Sequence, residues 1–284
     1  MKKKTLPEVR IYTNVNDTKY ALFEQPEVIS DAIREDGFWN KTTLMFATNL
    51  LKKQPKGLVI DIGSGFGTFT IPIACTFADK YDIVSFEPIK PIFLQLATNV
   101  LINNLGQVKV YNVGLSDKSE TIVSNTLDIH HSGNHGSFSF DEETNALRNI
   151  VPTAEKDTYD MRTLDSYKLT NVRFVKLSAA GMETKVLEGA KETLKNNNLP
   201  PVLFEFWDAE WYIQKRDAIF EFLKSMGYGH FENLFGYVFA FKDRAEYDFF
   251  ASEEEVIESG EFVISQKVHV TKDTLEDQKV YGQD

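Results

Sequence analysis

The chain has a single cysteine, Cys75, among 284 residues. An intramolecular disulfide is excluded, and so is a thiolate metal cluster. The setting Ile73-Ala-Cys-Thr-Phe77 reads as a helix face and predicts a small buried core residue rather than a nucleophile. No stretch approaches the roughly 18 uninterrupted apolar residues of a membrane-spanning helix. The basic start, Lys2-Lys3-Lys4, is followed by no apolar segment of the kind a secretion signal carries. These absences predict a cytoplasmic chain without a membrane partner. Positive charge is scarce as well: 31 Lys and Arg against 42 Asp and Glu leave a net charge of -11 and an isoelectric point near 5.1. An acidic surface gains little from a phosphate backbone, so no nucleic acid partner is expected.

Aromatic residues are plentiful. They make up 13% of the chain, with 22 Phe, inside a hydrophobic fraction of 42%, which is enough for a sizeable core. Residues 1–56 read as an extension, mainly helical, with a short strand near Val9–Tyr12 and helical periodicity from Glu27 to Lys53 broken near Gly37. From Leu58 the pattern alternates. Strands are predicted at Leu58–Ile62, Asp82–Phe86 and Val108–Val113, with helices at Thr68–Phe77 and Pro88–Asn103 between them. Pro72 must then lie in a first helical turn. Strand, helix, strand, helix, strand in that order implies right-handed βαβ units and a parallel sheet.

Residues 125–158 interrupt the rhythm with a polar loop, Asp128-Ile-His-His-Ser-Gly-Asn-His-Gly-Ser137. It resumes with strands at Val172–Leu177, Pro201–Phe206 and Tyr237–Phe241, and helices at Met182–Lys195 and Arg216–Met226. One domain over 57–245 and an acidic tail over 246–284, with an edge strand at Glu261–Val270, complete the organisation.

The segment Leu58-Val-Ile-Asp-Ile-Gly-Ser-Gly-Phe-Gly-Thr-Phe-Thr70 carries most of the chemistry. An apolar strand ends near Asp61, and Gly63, Gly65 and Gly67 let backbone approach a ligand closely. The helix that follows directs free N–H groups at the same spot. Glu87, at the end of the next strand, can take both hydroxyls of a ribose. The dinucleotide fingerprint G-x-G-x-x-G is not met, because Thr68 stands where its last glycine belongs. A P-loop is excluded, since no Gly-Lys-Ser/Thr closes the turn. The spacing suits S-adenosylmethionine, which carries no pyrophosphate.

Several ordered blocks resemble the FkbM family of S-adenosylmethionine-dependent methyltransferases. They are Val59-Ile-Asp-Ile-Gly-Ser-Gly-Phe-Gly-Thr-Phe69, Val84-Ser-Phe-Glu-Pro88 with Asn99 and Asn104 after it, and Asn112-Val-Gly-Leu-Ser-Asp117. Gly136-Ser-Phe138, Arg162-Thr-Leu-Asp165, Val175-Lys-Leu-Ser-Ala-Ala-Gly-Met-Glu183, Val186-Leu-Glu-Gly-Ala190 and Val202-Leu-Phe-Glu205 follow, so the resemblance runs from Gly57 to Trp207, more than half of the chain. It implies a Rossmann-like class I methyltransferase fold, a mostly parallel sheet flanked by helices. It also implies that Asp61, Gly63, Ser64, Gly65 and Gly67 line the methionine end of the cofactor. Glu87 would hold the ribose, Pro88 would shape the turn beside the adenine, and Ser116 and Asp117 would flank that ring.

One block departs from the family. Where it usually reads Lys-Ile-Asp-Val-Glu-Gly, this chain has Lys176-Leu-Ser-Ala-Ala-Gly181, with Ser178 and Ala180 in place of two carboxylates. Transfer of a methyl group to a hydroxyl benefits from a base. Candidates for catalysis are Glu205, Ser178 and Glu183, with Asp208 and the loop histidines behind them. A metal at His130, His131 and His135 is not expected, for want of a ligand partner at recognised spacing. Trp207 and Trp211 suit core packing or stacking on a sugar. Two readings stand: a methyltransferase acting on a small acceptor such as a carbohydrate, and a cofactor-binding protein that has lost transfer and serves as a scaffold. A nicotinamide oxidoreductase fails on the glycine spacing.

Overall fold

Two antiparallel strands open the chain, β1 (Val9–Thr13) and β2 (Lys19–Phe23), followed by helices α1 (Val28–Asp36) and α2 (Lys41–Lys53). The computed structural model describes residues 5–148, 150, 152–234 and 236–243. The extension is therefore a hairpin plus two helices, more strand-rich than its sequence pattern suggested. The C-terminal tail, with the strand expected at Glu261–Val270, lies outside the described residues.

The alternation that begins at Gly57 folds as expected. It comprises β3 (Gly57–Ile62), α3 (Thr70–Thr76), β4 (Tyr81–Phe86), α4 (Lys90–Ile102) and β5 (Val108–Tyr111). Later come β9 (Val172–Leu177), α6 (Glu183–Glu188), α7 (Lys191–Asn196), β10 (Val202–Glu205), α8 (Ile213–Met226), β11 (His230–Leu234) and β12 (Tyr237–Phe241). The helix expected over Met182–Lys195 is split in two at Gly189-Ala190.

Seven of these strands make one sheet in the order β11-β12-β10-β9-β3-β4-β5. β3, β4, β5, β9 and β10 run parallel, and β12 is antiparallel to both its neighbours. Inserting an antiparallel strand between β10 and β11 departs from the simple 3-2-1-4-5-6 dinucleotide order. This is the Rossmann-like class I architecture, with helices on both faces. The continuous apolar runs follow from that: Val59 and Phe174 pack into the core on one face, Ile60, Ile62 and Val175 into the core on the other.

Register then places the site. Ile62 lies opposite both Phe86 and Leu177, and Leu177 opposite Phe204. The residues that come next, Gly63, Glu87, Ser178 and Glu205, therefore emerge at one level along the carboxyl edge. β3 is also where the winding reverses, with β4 and β5 on one side and β9 and β10 on the other. Ligands of open α/β sheets bind at such a crevice.

The polar stretch after β5 is less irregular than its sequence implied. Short β6 (Gly114–Leu115), β7 (Glu120–Asn125) and β8 (Lys156–Arg162) form a second sheet in the order β6-β8-β7. Between β7 and β8 the chain makes a 3-10 turn at His135–Ser137 and the helix α5 (Glu142–Leu147). Asp141 caps α5 through Glu143 N and pairs with Lys215 of α8 at 2.5 Å, which ties this insertion to the main body.

Cys75 corrects an expectation. It is exposed, because Thr70, Ile71, Ile73 and Ala74 occupy the buried face of α3 and the 100° step per residue turns Cys75 away. Pro72 sits in the first turn of that helix, where its missing N–H costs nothing.

Candidate functional site

A cleft of about 1250 Å3 opens over the carboxyl ends of β3, β4, β9 and β10. A single small ligand fills roughly 300–1,000 Å3, so this space accommodates two molecules side by side. Its floor is the glycine turn and its far end the Ser178–Ala180 turn, while Phe38–Leu44 of the N-terminal extension and Asn134–Phe140 of the insertion form walls.

The floor is built by backbone. Gly63 and Ser64 both donate their N–H groups to Phe86 O at 3.1 Å, which locks the turn onto the end of β4. Gly63 has φ +67, and a Cβ there would stand 1.7 Å from Ser178 O, so only glycine lets β3 and β9 come this close. Gly65, at φ +54, is the opposite case: a Cβ would meet nothing within 4 Å, and its backbone faces open cleft. Asn99 of α4 steadies the same turn, donating to Phe66 O at 2.8 Å while accepting from Ala21 N at 2.6 Å. The block residue Asn99 thus joins the hairpin to the glycine turn.

Glu87 is 6% exposed and spans the floor. Its Oε2 accepts from Gly65 N at 3.0 Å and its Oε1 from Ile89 N at 2.8 Å. Burial pushes its carboxyl up to about 7, against the pull of those two N–H groups and of Lys176. Asn112 donates to Glu87 O and Pro88 O, each at 2.9 Å, and so shapes the turn at Pro88. Beyond it Ile89, Val113, Gly114, Leu115 and Met161 line an apolar part of the cleft.

Asp61, fully buried, turns away from the cleft. Its Oδ2 accepts from Thr70 Oγ1 at 2.7 Å, and Lys176 Nζ stands 3.2 Å from its Oδ1 while donating to Gly63 O at 2.9 Å. Burial works most strongly against the Lys176 ammonium, but Asp61 together with Tyr237 and Glu205 outweighs it and the net direction is upward. Gly67 also lies behind the wall, packed on Ile71 and Leu96. Ser116 and Asp117 are joined by a 2.9 Å hydrogen bond outside the cleft wall, the first buried and the second exposed.

At the other end Ser178 Oγ donates to Glu205 Oε2 at 2.6 Å. Tyr237 lies beside them in the cleft wall, its hydroxyl accepting from Asn40 Nδ2 at 3.5 Å. The Glu205 Oε1 atom accepts no hydrogen bond among the described residues. Glu183 is not in the cleft wall. It is fully buried beneath the turn, accepting from Ala179 N at 3.0 Å, Gly181 N at 3.0 Å and Tyr212 Oη at 3.3 Å, so it clamps the turn from below. Burial, with the nearby Glu205 charge, raises its carboxyl.

No family model matches the chain, and no curated protein matches it. Among solved structures it is similar to the methyltransferase FkbM of Methylobacillus flagellatus KT, with 16% identity and a TM-score of 0.49 over 72% of this chain and 48% of that one. The chain thus spans about half the length of that neighbour. It is similar also to the precorrin-6y C5,15-methyltransferase of Geobacter metallireducens GS-15, with 14% identity and a TM-score of 0.43 over 77% and 100% of the two chains. A third is an rRNA methylase of Streptococcus thermophilus, at 12% identity and 0.40 over 69% and 94%. What this chain binds rests on its own residues.

Those residues fit S-adenosylmethionine. An open backbone turn at Gly65, a buried carboxylate at Glu87 and an apolar slot beyond Pro88 match an amino-acid end, a ribose and an adenine in turn. Asp208 is in the cleft wall as well. Of the described histidines only His135 reaches it; His130 Nε2 bonds to Thr5 O at 2.9 Å and His135 Nε2 to His131 O at 3.0 Å. No cluster of metal-binding side chains occurs among the described residues. No helix among them is long and apolar enough to cross a membrane. Sequence reasoning missed Asn112 as the turn's support, Tyr237, and Arg148. The first two lie within segments it had already singled out, so their polarity in an apolar setting was the available signal.

Proposed function

We propose that this chain is an S-adenosylmethionine-dependent methyltransferase that methylates a hydroxyl of a small acceptor, a sugar or related metabolite. The observation that carries it is the 3.0 Å bond from Gly65 N to Glu87 Oε2, which puts the glycine turn and a carboxylate suited to a ribose together at the switch point of the sheet. Gly63, Ser64, Gly65, Glu87 and Pro88 hold the cofactor, with Asp61 and Gly67 shaping the turn from behind and Ser116 and Asp117 supporting the adenine side.

Bound S-adenosylmethionine supplies an electrophilic methyl group. Everything else falls to the chain's own groups. Glu205 accepts the proton of the acceptor hydroxyl at Oε1, while the 2.6 Å bond from Ser178 holds Oε2 and fixes the carboxylate plane. Ser178 thus serves Glu205 and is no base itself, and Glu183 positions the turn that carries Ser178. The walls from the N-terminal extension and the insertion exclude water, which strengthens each of these interactions. The scaffold reading loses ground on one point, since Glu205 restores a carboxylate to the end of the cleft where Ser178 lacks one.

Calorimetric titration with S-adenosylmethionine tests the cofactor, and release of S-adenosylhomocysteine across a panel of hydroxyl acceptors tests transfer. Glu205→Gln should lower kcat by about 100-fold or more with the cofactor affinity kept. Absence of cofactor binding would sink the proposal, and binding without turnover on any acceptor would return the scaffold reading.

A further inference from the structure

Arg148 is a cation with no anion paired to it among the described residues. It ends α5 inside the insertion, where its N–H bonds to Thr144 O at 3.1 Å, and its side chain reaches the cleft wall. The guanidinium has five donors, yet among the described residues only one is used, from Nη1 to Ser137 O at 3.1 Å. No carboxylate lies within ion-pair distance of it among the described residues. Its carbon centre stands 4.2 Å from the ring of Trp207 and 5.8 Å from that of Trp211, so one face is stacked and the donor edge is left free. Trp207 Nε1 is itself buried with no hydrogen-bond partner.

The placement is rigid. Thr144 packs against Gly181, where an added Cβ would come within 2.6 Å of its hydroxyl, so α5 is seated on the turn that carries Ser178. That turn, Ser178-Ala-Ala-Gly181, contributes no charge. Glu205 and Glu183 act on Arg148 only through longer-range fields, and burial outweighs them, working against the guanidinium charge. A part-buried cation with its donor edge unpaired is costly unless a ligand completes it.

We propose that the methyl acceptor carries an anionic group, a carboxylate or a phosphate, taken bidentately by Arg148 on the Trp207 platform while its hydroxyl faces Glu205. This rests on the acceptor site of the methyltransferase reading and names the acceptor's chemistry. A planar guanidinium fork matches two oxygens of either group. One such fork fits one small anion. A nucleic acid would call for a row of cations, whereas the Lys and Arg residues lining this cleft are Lys41, Arg148 and Lys176, the last already paired with Asp61.

The full chain is titrated with inorganic phosphate, with acetate and with acetamide, the neutral isostere of acetate, following the tryptophan fluorescence that Trp207 and Trp211 contribute. Acetate or phosphate should saturate at least about tenfold more tightly than acetamide, and whichever binds better identifies the anion class. Arg148→Gln should weaken anion binding by about tenfold or more, and Arg148→Lys, which keeps the charge but not the fork, by about threefold. Equal binding of acetate and acetamide with weak phosphate, or anion binding unchanged in both variants, overturns the proposal. S-adenosylhomocysteine affinity is measured on the same samples and should be unchanged in both variants. Anion binding without S-adenosylhomocysteine binding sinks the methyltransferase reading alone; the reverse sinks only the anion site.

Discussion

The Ser178 hydroxyl lies 2.6 Å from Glu205 Oε2 and donates to it, across two strands whose carriers are 27 residues apart in the chain. Read from sequence, Ser178 stands where the resembled family has a carboxylate, and an Asp there would supply the base that transfer to a hydroxyl benefits from. The structure reverses that expectation, because Asp at 178 would put two carboxylates in contact. Like charges at that distance cannot both ionise freely. Ser178→Asp should therefore lower both stability and kcat at neutral pH, with stability partly recovered near pH 5. Ser178→Ala should lower kcat by about tenfold and leave cofactor affinity unchanged, as expected for loss of one positioning hydrogen bond to a charged group. Thermal denaturation at the two pH values and steady-state kinetics check both.

Glu87 predicts a pH dependence of cofactor affinity. In the proposed ribose site only the ionised carboxylate would accept from both hydroxyls, and its pKa is pushed up to about 7. Affinity measured by calorimetry should be near its plateau at pH 8 and fall by about tenfold by pH 6, following the ionised fraction. Affinity that is flat across this range would remove Glu87 from the ribose site.

The same group predicts stability in the opposite sense. A carboxyl that holds its proton to about pH 7 when folded, against an ordinary value of 4.5, makes the folded state bind more protons between those values. Its contribution is present below pH 4.5 and is lost as pH rises to 7, by roughly 3 kcal/mol at about 1.4 kcal/mol per unit. Glu87→Gln should flatten this part of the pH–stability profile in urea denaturation while abolishing tight cofactor binding.

The Asp61–Lys176 pair should behave as structure rather than as a ligand contact. Both side chains are buried, and Asp61→Asn would leave the ammonium of Lys176 without its counter-charge. Unfolding free energy should fall by about 3–5 kcal/mol. A variant that loses cofactor affinity at full stability would instead place Asp61 in direct contact with ligand.

Ala180 is a non-glycine residue at φ +48, in the turn over Glu183. The left-handed conformation costs an L-residue about 1–2 kcal/mol, part of which glycine returns through its larger unfolded-state entropy. Ala180→Gly should raise the unfolding free energy by about 0.5 kcal/mol, or the midpoint by about 1–2 °C. A lowered midpoint in calorimetry would show that the methyl group packs more than it strains.

The parallel core, the helices between its strands, the glycine turn and Glu87 were legible in the amino-acid sequence. Buried strands read as unbroken apolar runs, and turn chemistry is carried by a few adjacent residues, so both are local. Asp61 and Ser178 were legible as places but not as partners. The direction of Asp61 depends on Lys176, and the role of Ser178 on Glu205, each brought near only by strand register. The insertion was least legible. Its polarity looked like a solvated loop, whereas its two strands pair with each other across the segment that carries Arg148 into the cleft. Periodicity records which side of an element is buried. Which polar group meets which is decided by packing between segments far apart in the chain, and there the tertiary structure turned a glycine-rich nucleotide turn into a cleft with a carboxylate at one end and an unpaired arginine beside it.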